Sequence, residues 1–269
     1  MNSRKLFGAA IGALAAASAV WAGPAAEEAV RKALEAWSGA IVPVSAVIKI
    51  EAAGMPGGSQ ERPVEMFGTV VGPNGLTAVS ATSLSPLNNM GEGIEMGGVR
   101  PVTSVSRIRI RLAEGVEIAA RQVLTDEEMD LTFLAPEPED GKPLPAFPKP
   151  IEFARDAAPG IADEILTLGR AGQMFNWAPV IGRAQVLGIV ESPRRLYLLA
   201  GAFLGGVGTP LLTSEGRPFG LIVLRREPAE ARPGEAPYRQ AIVGLPAEDV
   251  AEALAQALRA AETPKKNAP

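Results

Sequence analysis

Hydroxyls, carboxylates and one glycine-rich loop carry whatever chemistry this chain has, because two residue types are missing. The 269 residues contain no histidine and no cysteine. Without imidazole, no Ser–His or Cys–His relay and no His-ligated zinc site can be assembled. Without thiols there is no disulfide to staple the fold and no cysteine nucleophile. The remaining candidates fall in three stretches. Ala200–Gly220 (AGAFLGGVGTPLLTSEGRPFG) places Gly205, Gly206 and Gly208 around Val207. Glycines reach φ > 0 without steric cost, so such a loop can aim several backbone N–H groups at one point. Gly68–Ala81 (GTVVGPNGLTAVSA) runs out at Ser80, with Thr82 and Ser83 just beyond, and Thr125–Leu134 (TDEEMDLTFL) sets Asp130 ahead of an apolar run. The hydroxyls of Ser80, Thr82, Ser83 and Thr209, with a lysine or glutamate as base, are the parts of a nucleophile that uses no histidine. The plainer reading is that strand and turn backbone satisfies them. The glycine loop feeds a strand, not a helix, which removes the context a dinucleotide fingerprint needs; phosphate-loop and EF-hand patterns are absent. No cofactor and no metal is implied.

Strands must hold these stretches. The 29 glycines, 24 prolines and 5% aromatic content favour a loop-rich β architecture. Alternation and turn spacing predict strands over Val42–Ala52, Glu65–Val71, Leu76–Ser80, Ser106–Leu112, Val116–Leu124, Glu164–Leu168, Thr209–Leu212, Pro218–Leu224 and Arg239–Gly244. In Ser106–Leu112, Ile108, Ile110 and Leu112 alternate with Arg107, Arg109 and Arg111, which reads as one solvated sheet face. Pro73-Asn74-Gly75 is a tight turn. Gly54–Arg62, Ser85–Pro101, Gly169–Asn176 and the polar Arg225–Pro237 read as loops or insertions, and Pro136–Pro150, with six prolines, as a linker. Two helices flank the β region: Pro24–Trp37, with Val30, Ala33, Leu34 and Trp37 on one face, and Pro246–Glu262, with Val250, Leu254, Ala257, Leu258 and Ala261.

Taken in order, the three stretches resemble loops of the trypsin-like serine proteases in their bacterial Deg-type form. Gly205, Gly208, Pro210 and Leu211 match the nucleophile motif G-N-S-G-G-P-L, with Gly206 for Asn, Thr209 for the second Gly and Val207 where the serine belongs. Gly68–Ala81 is similar to the family's G-S-G-V-I-I-x-x-D-G-x-I-L-T-N-A, which ends in the catalytic histidine. Counting from Gly75 puts Thr82 at that histidine; sliding by one residue puts Ser83 there. Thr125–Leu134 is similar to T-D-x-x-x-D-L-A-L-L, whose second aspartate, the orienting member of the triad, corresponds to Asp130. The resemblance spans Val42 to Glu262. It implies an all-β fold of two antiparallel six-stranded β-barrels with an N-terminal and a C-terminal helix. The implied layout is an arm at 23–41, a first barrel at 42–136, a linker at 137–150, a second barrel at 151–245, a helix at 246–262 packed on that barrel, and a disordered tail at 263–269, with no PDZ domain. It also implies that the N–H groups of Gly205 and Val207 are what is left of an oxyanion hole. Nucleophile and base are both replaced, so the resemblance implies a non-catalytic protease fold. Loss of the triad removes roughly 10⁶-fold in rate, leaving about 10³–10⁴-fold over water.

Met1–Ala22 reads as a cleavable export signal: Arg4 and Lys5, an apolar run over Leu6–Val20, then Val20-Trp21-Ala22. Removing Arg4 and Lys5 leaves 24 Lys+Arg against 30 Asp+Glu, a net charge of −6. No basic cluster interrupts this balance before Lys265-Lys266, so nucleic acid is not expected as a partner. The expectation is a periplasmic or extracellular pseudoprotease without a membrane span once the signal is removed, binding a protein or peptide. The alternatives are a hydrolase with a relocated nucleophile and a purely structural envelope protein.

Overall fold

The computed structural model describes residues 24–51, 59–84, 102–139, 142–228 and 238–262. The export signal, the loop at 85–101, most of the insertion expected at 225–237 and the tail at 263–269 lie outside the described residues. The chain enters through helix α1 (Pro24–Trp37) and builds strands β1 (Ile41–Glu51), β2 (Ser59–Val70) and β3 (Thr77–Ser80). After a one-turn helix α2 (Ala81–Leu84) come β4 (Val102–Arg111), β5 (Glu117–Asp126) and β6 (Leu131–Pro136). These six close into an antiparallel barrel in the order β1-β2-β3-β6-β5-β4. Strands β7 (Glu164–Arg170), β8 (Pro179–Val190), β9 (Leu196–Gly201), β10 (Pro210–Thr213), β11 (Pro218–Pro228) and β12 (Tyr238–Pro246) close a second, in the order β10-β11-β12-β9-β8-β7, and helix α3 (Ala247–Glu262) ends the described chain. Closure leaves neither sheet with a free edge along its full length. The expected fold class is the one observed.

Period-2 patterning explains the barrels. Val44, Ala46 and Ile48 of β1 are buried, while Ser45, Val47 and Lys49 between them are half-exposed. Ile108 and Ile110 point inward from β4. Opposite them, Arg107, Arg109 and Arg111 stay outside and pair with Glu61, Glu139 and Glu117. The seam between barrels is itself a core: Val70, Phe133 and Leu134 of the first barrel share one buried cluster with Leu221, Val223 and Leu245 of the second.

Pairing carries several strands past their expected ends. β2 starts at Ser59, because Glu51↔Ser59 through Val47↔Pro63 extend the ladder into a polar stretch expected to be loop. β11 runs to Pro228 and pairs there with Tyr238, so Arg225 and Arg226 belong to a strand and not to an insertion. The helix packing also differs from expectation. α3 buries Val250, Ala253 and Ala257 in the seam cluster and takes the Arg121 guanidinium of β5 on the Ala261 carbonyl at 3.0 Å, so it spans both barrels. Conversely α1, which precedes the first barrel, packs Ala33 and Leu34 with Leu166, Leu168 and Leu212 of the second. The described residues of the proline-rich linker form no regular element, and Phe147 packs on the first barrel's core. Gly75, at φ 77°, lies so close to the Phe147 ring that a Cβ there would come within 2.2 Å.

Candidate functional site

Asp130 is the centre of the site. It closes the β5–β6 turn at φ 54°, a left-handed conformation that aspartate tolerates better than most side chains. Its side chain is turned into the seam and only 2% exposed. Three donors reach the carboxylate. The Ser80 hydroxyl donates to both oxygens, at 3.0 Å and 2.8 Å. The Thr82 N–H donates to Oδ1 at 2.7 Å, and the Leu224 N–H, from β11 of the other barrel, to Oδ2 at 2.9 Å. Below them the Ala81 N–H donates to the Asp130 carbonyl at 3.0 Å.

Ser80 has a second role. Its oxygen accepts the Ser83 N–H at 3.3 Å, so it is the N-cap of α2 and satisfies one of the helix's orphan donors. Asp130 satisfies another. Of the two residues aligned with the lost histidine, Thr82 therefore has its backbone on Asp130, and Ser83 has its backbone on Ser80.

The glycine loop approaches the same point from the second barrel. Gly208 takes φ 87°, donates its N–H to the Ile222 carbonyl at 2.7 Å, and accepts the Thr69 hydroxyl on its own carbonyl at 2.7 Å. A Cβ on Gly208 would meet the Phe67 carbonyl at 2.9 Å and the Ser80 nitrogen at 3.2 Å. Upstream, Gly205 lies against Gly169 with room for no side chain on either. The Gly206 N–H is taken by the Phe203 carbonyl; neither the Gly205 nor the Val207 N–H is hydrogen-bonded to another described residue. Val207 is half-buried, its side chain packed against the core of the second barrel. Gly208 thus lies beside Ser80, next to the Thr82–Asp130 contact.

Their chemistry is narrow. Asp130 faces donors that have nowhere to pass a proton. Ser80, though bonded to a carboxylate, is 1% exposed, so no substrate carbonyl can reach it. Thr209 is fully buried and donates to the Gly206 carbonyl at 2.7 Å. Among the described residues no group of three or more acidic residues is placed to hold a metal ion.

A second polar tie crosses the seam on another side. Arg170, at the end of β7, donates through Nε to the Ile41 carbonyl, through Nη2 to the Ser38 carbonyl at 2.8 Å and through Nη1 to the Trp177 carbonyl at 2.9 Å. Burial lowers its pKa from the usual arginine value. Arg111 stacks at 4.4 Å over the Trp177 ring of the same loop. Sequence reasoning missed the roles of Arg170, Thr69 and Leu224. Ser80 alone carried a readable signal, as a serine three residues ahead of an N–H that a helix start leaves without an intrahelical acceptor.

Two closed six-stranded antiparallel barrels with these loops at their seam are compatible with the double-barrel fold of trypsin-like proteins. No protein-family model matches the sequence, and no curated protein is significantly similar to it.

Proposed function

We propose that this chain is an exported trypsin-like pseudoprotease that binds a protein or peptide and does not cleave it. The observation that carries the reading is the state of Asp130. In a working triad its carboxylate orients an imidazole. Here it is occupied by Ser80, Thr82 and Leu224, in a sequence without histidine, and Val207 stands at the nucleophile position of the resembled motif. The carboxylate has passed from catalysis to holding the barrels together. The burial of Ser80 and Thr209 argues against a relocated nucleophile at either residue.

Incubation of the purified protein with casein and with a serine-reactive fluorophosphonate tests the catalytic half. The expected result is neither cleavage nor labelling; stoichiometric labelling that survives repurification would overturn it. Restoration gives a second test. Val207→Ser alone should stay inert, because a serine without a base is a poor nucleophile. Adding Thr82→His should also fail while Ser80 covers both carboxylate oxygens. Ester hydrolysis is expected first when Ser80→Ala joins them, since triad members act as a unit.

A further inference from the structure

The β11–β12 hairpin projects beyond the second barrel. β12 pairs with β9 at Val243↔Leu198 and Gly244↔Tyr197, while its ladder with β11 continues to Pro228↔Tyr238. Where β12 leaves β9, a groove of about 280 Å³ opens, floored by Leu196, Leu198 and Val243 and edged by Arg194, Arg225 and Glu128. Leu198 is 40% exposed, a large aliphatic side chain left facing solvent. The two arginines are incompletely matched. Arg225 donates through Nη1 to the Glu128 backbone carbonyl at 3.2 Å, and among the described residues no carboxylate forms an ion pair with it. Arg194 pairs through Nη1 with Asp249, but its Nε, shielded from solvent, has no acceptor among the described residues. An apolar floor bordered by a cation that has no ion-pair partner among the described residues calls for a ligand that is aliphatic at one end and anionic at the other.

We propose that this groove receives the C-terminal residue of a peptide, its aliphatic side chain on Leu196, Leu198 and Val243 and its α-carboxylate on the guanidinium of Arg225, with Arg194 beside it. The inference rests on the peptide-binding reading above and specifies its ligand. A terminal residue suits the groove because one residue supplies both features within a few bonds. In an extended peptide, neighbouring side chains point to opposite faces, so an internal acidic residue and the apolar residue beside it could not enter together. A guanidinium presents two parallel N–H donors, which match a carboxylate and not an amide.

Fluorescence anisotropy tests this with the purified protein and a fluorescein-labelled peptide ending in Ala-Leu-Leu, as the free acid and as the C-terminal amide. The acid should bind on the order of tenfold more tightly than the amide. Arg225→Gln should erase that difference with little effect on the amide, Arg225→Lys should keep part of it, and Leu198→Asp, at an exposed position that folding tolerates, should weaken both peptides. Equal binding of acid and amide to the wild type overturns the inference while leaving peptide binding intact. Failure of these peptides and of a randomised peptide pool to bind overturns both readings. Displacement of the peptide by laurate at equal concentration assigns the groove to a free aliphatic acid and overturns the peptide assignment.

Discussion

Two charged side chains tie the barrels together, and they do so with opposite chemistry. Asp130 belongs to the first barrel and takes an N–H donor from the second, at Leu224. Arg170 belongs to the second and gives its protons to carbonyls around the start of the first, at Ser38 and Ile41. Among the described residues neither is paired with an opposite charge; Asp130 is met by two backbone N–H groups and the Ser80 hydroxyl, Arg170 by three backbone carbonyls. The difference lies in solvent. Asp130 is 2% exposed, and its partner Ser80 is as deeply buried, so water does not readily replace the carboxylate there. Arg170 is only partly buried, so water can replace it on at least some of its carbonyls. The fold therefore depends more on Asp130 than on Arg170.

Asp130→Ala should have the largest effect. It removes the acceptor from the buried Ser80 hydroxyl and from the part-buried N–H groups of Thr82 and Leu224, a loss of about 3–5 kcal/mol in urea unfolding. A loss below about 1 kcal/mol would mean that the carboxylate is dispensable. Gly208→Ala should come next, at roughly 2 kcal/mol, because alanine is strained at φ 87° and its methyl would crowd the Phe67 carbonyl; the same melts report it. Arg170→Ala should cost about 1–2 kcal/mol. If it proves costlier than Asp130→Ala, the order drawn between the two ties is reversed. Arg109→Ala, which removes an exposed pair with Glu139, should change stability by at most about 0.5 kcal/mol and serves as the control.

The three loops were legible because each is local. Glycines around Val207, the turn at Pro73-Asn74-Gly75 and an aspartate before an apolar run can be read from spacing. That they meet at one seam was an expectation drawn from resemblance, and the physical partners there escaped the reading. Leu224 reaches Asp130 through a backbone N–H, which every residue but proline possesses. Arg170 resembles any charged residue at a strand end until its carbonyl partners, 129 and 132 residues away in sequence, are in place. Strand ends at Ser59 and Pro228 were missed for the same reason, since polar residues enter a ladder when a partner strand supplies the hydrogen bonds.

By itself the sequence determined the alternation that makes strands, the two amphipathic helices and the absence of any imidazole, all of which depend on residue type and near neighbours. The tertiary structure decided which barrel each helix covers, how far each ladder runs and what occupies the Asp130 carboxylate. Those outcomes depend on which backbone donors and acceptors distant segments bring to a buried charge. Backbone groups are nearly the same at every residue, so folding alone distinguishes them.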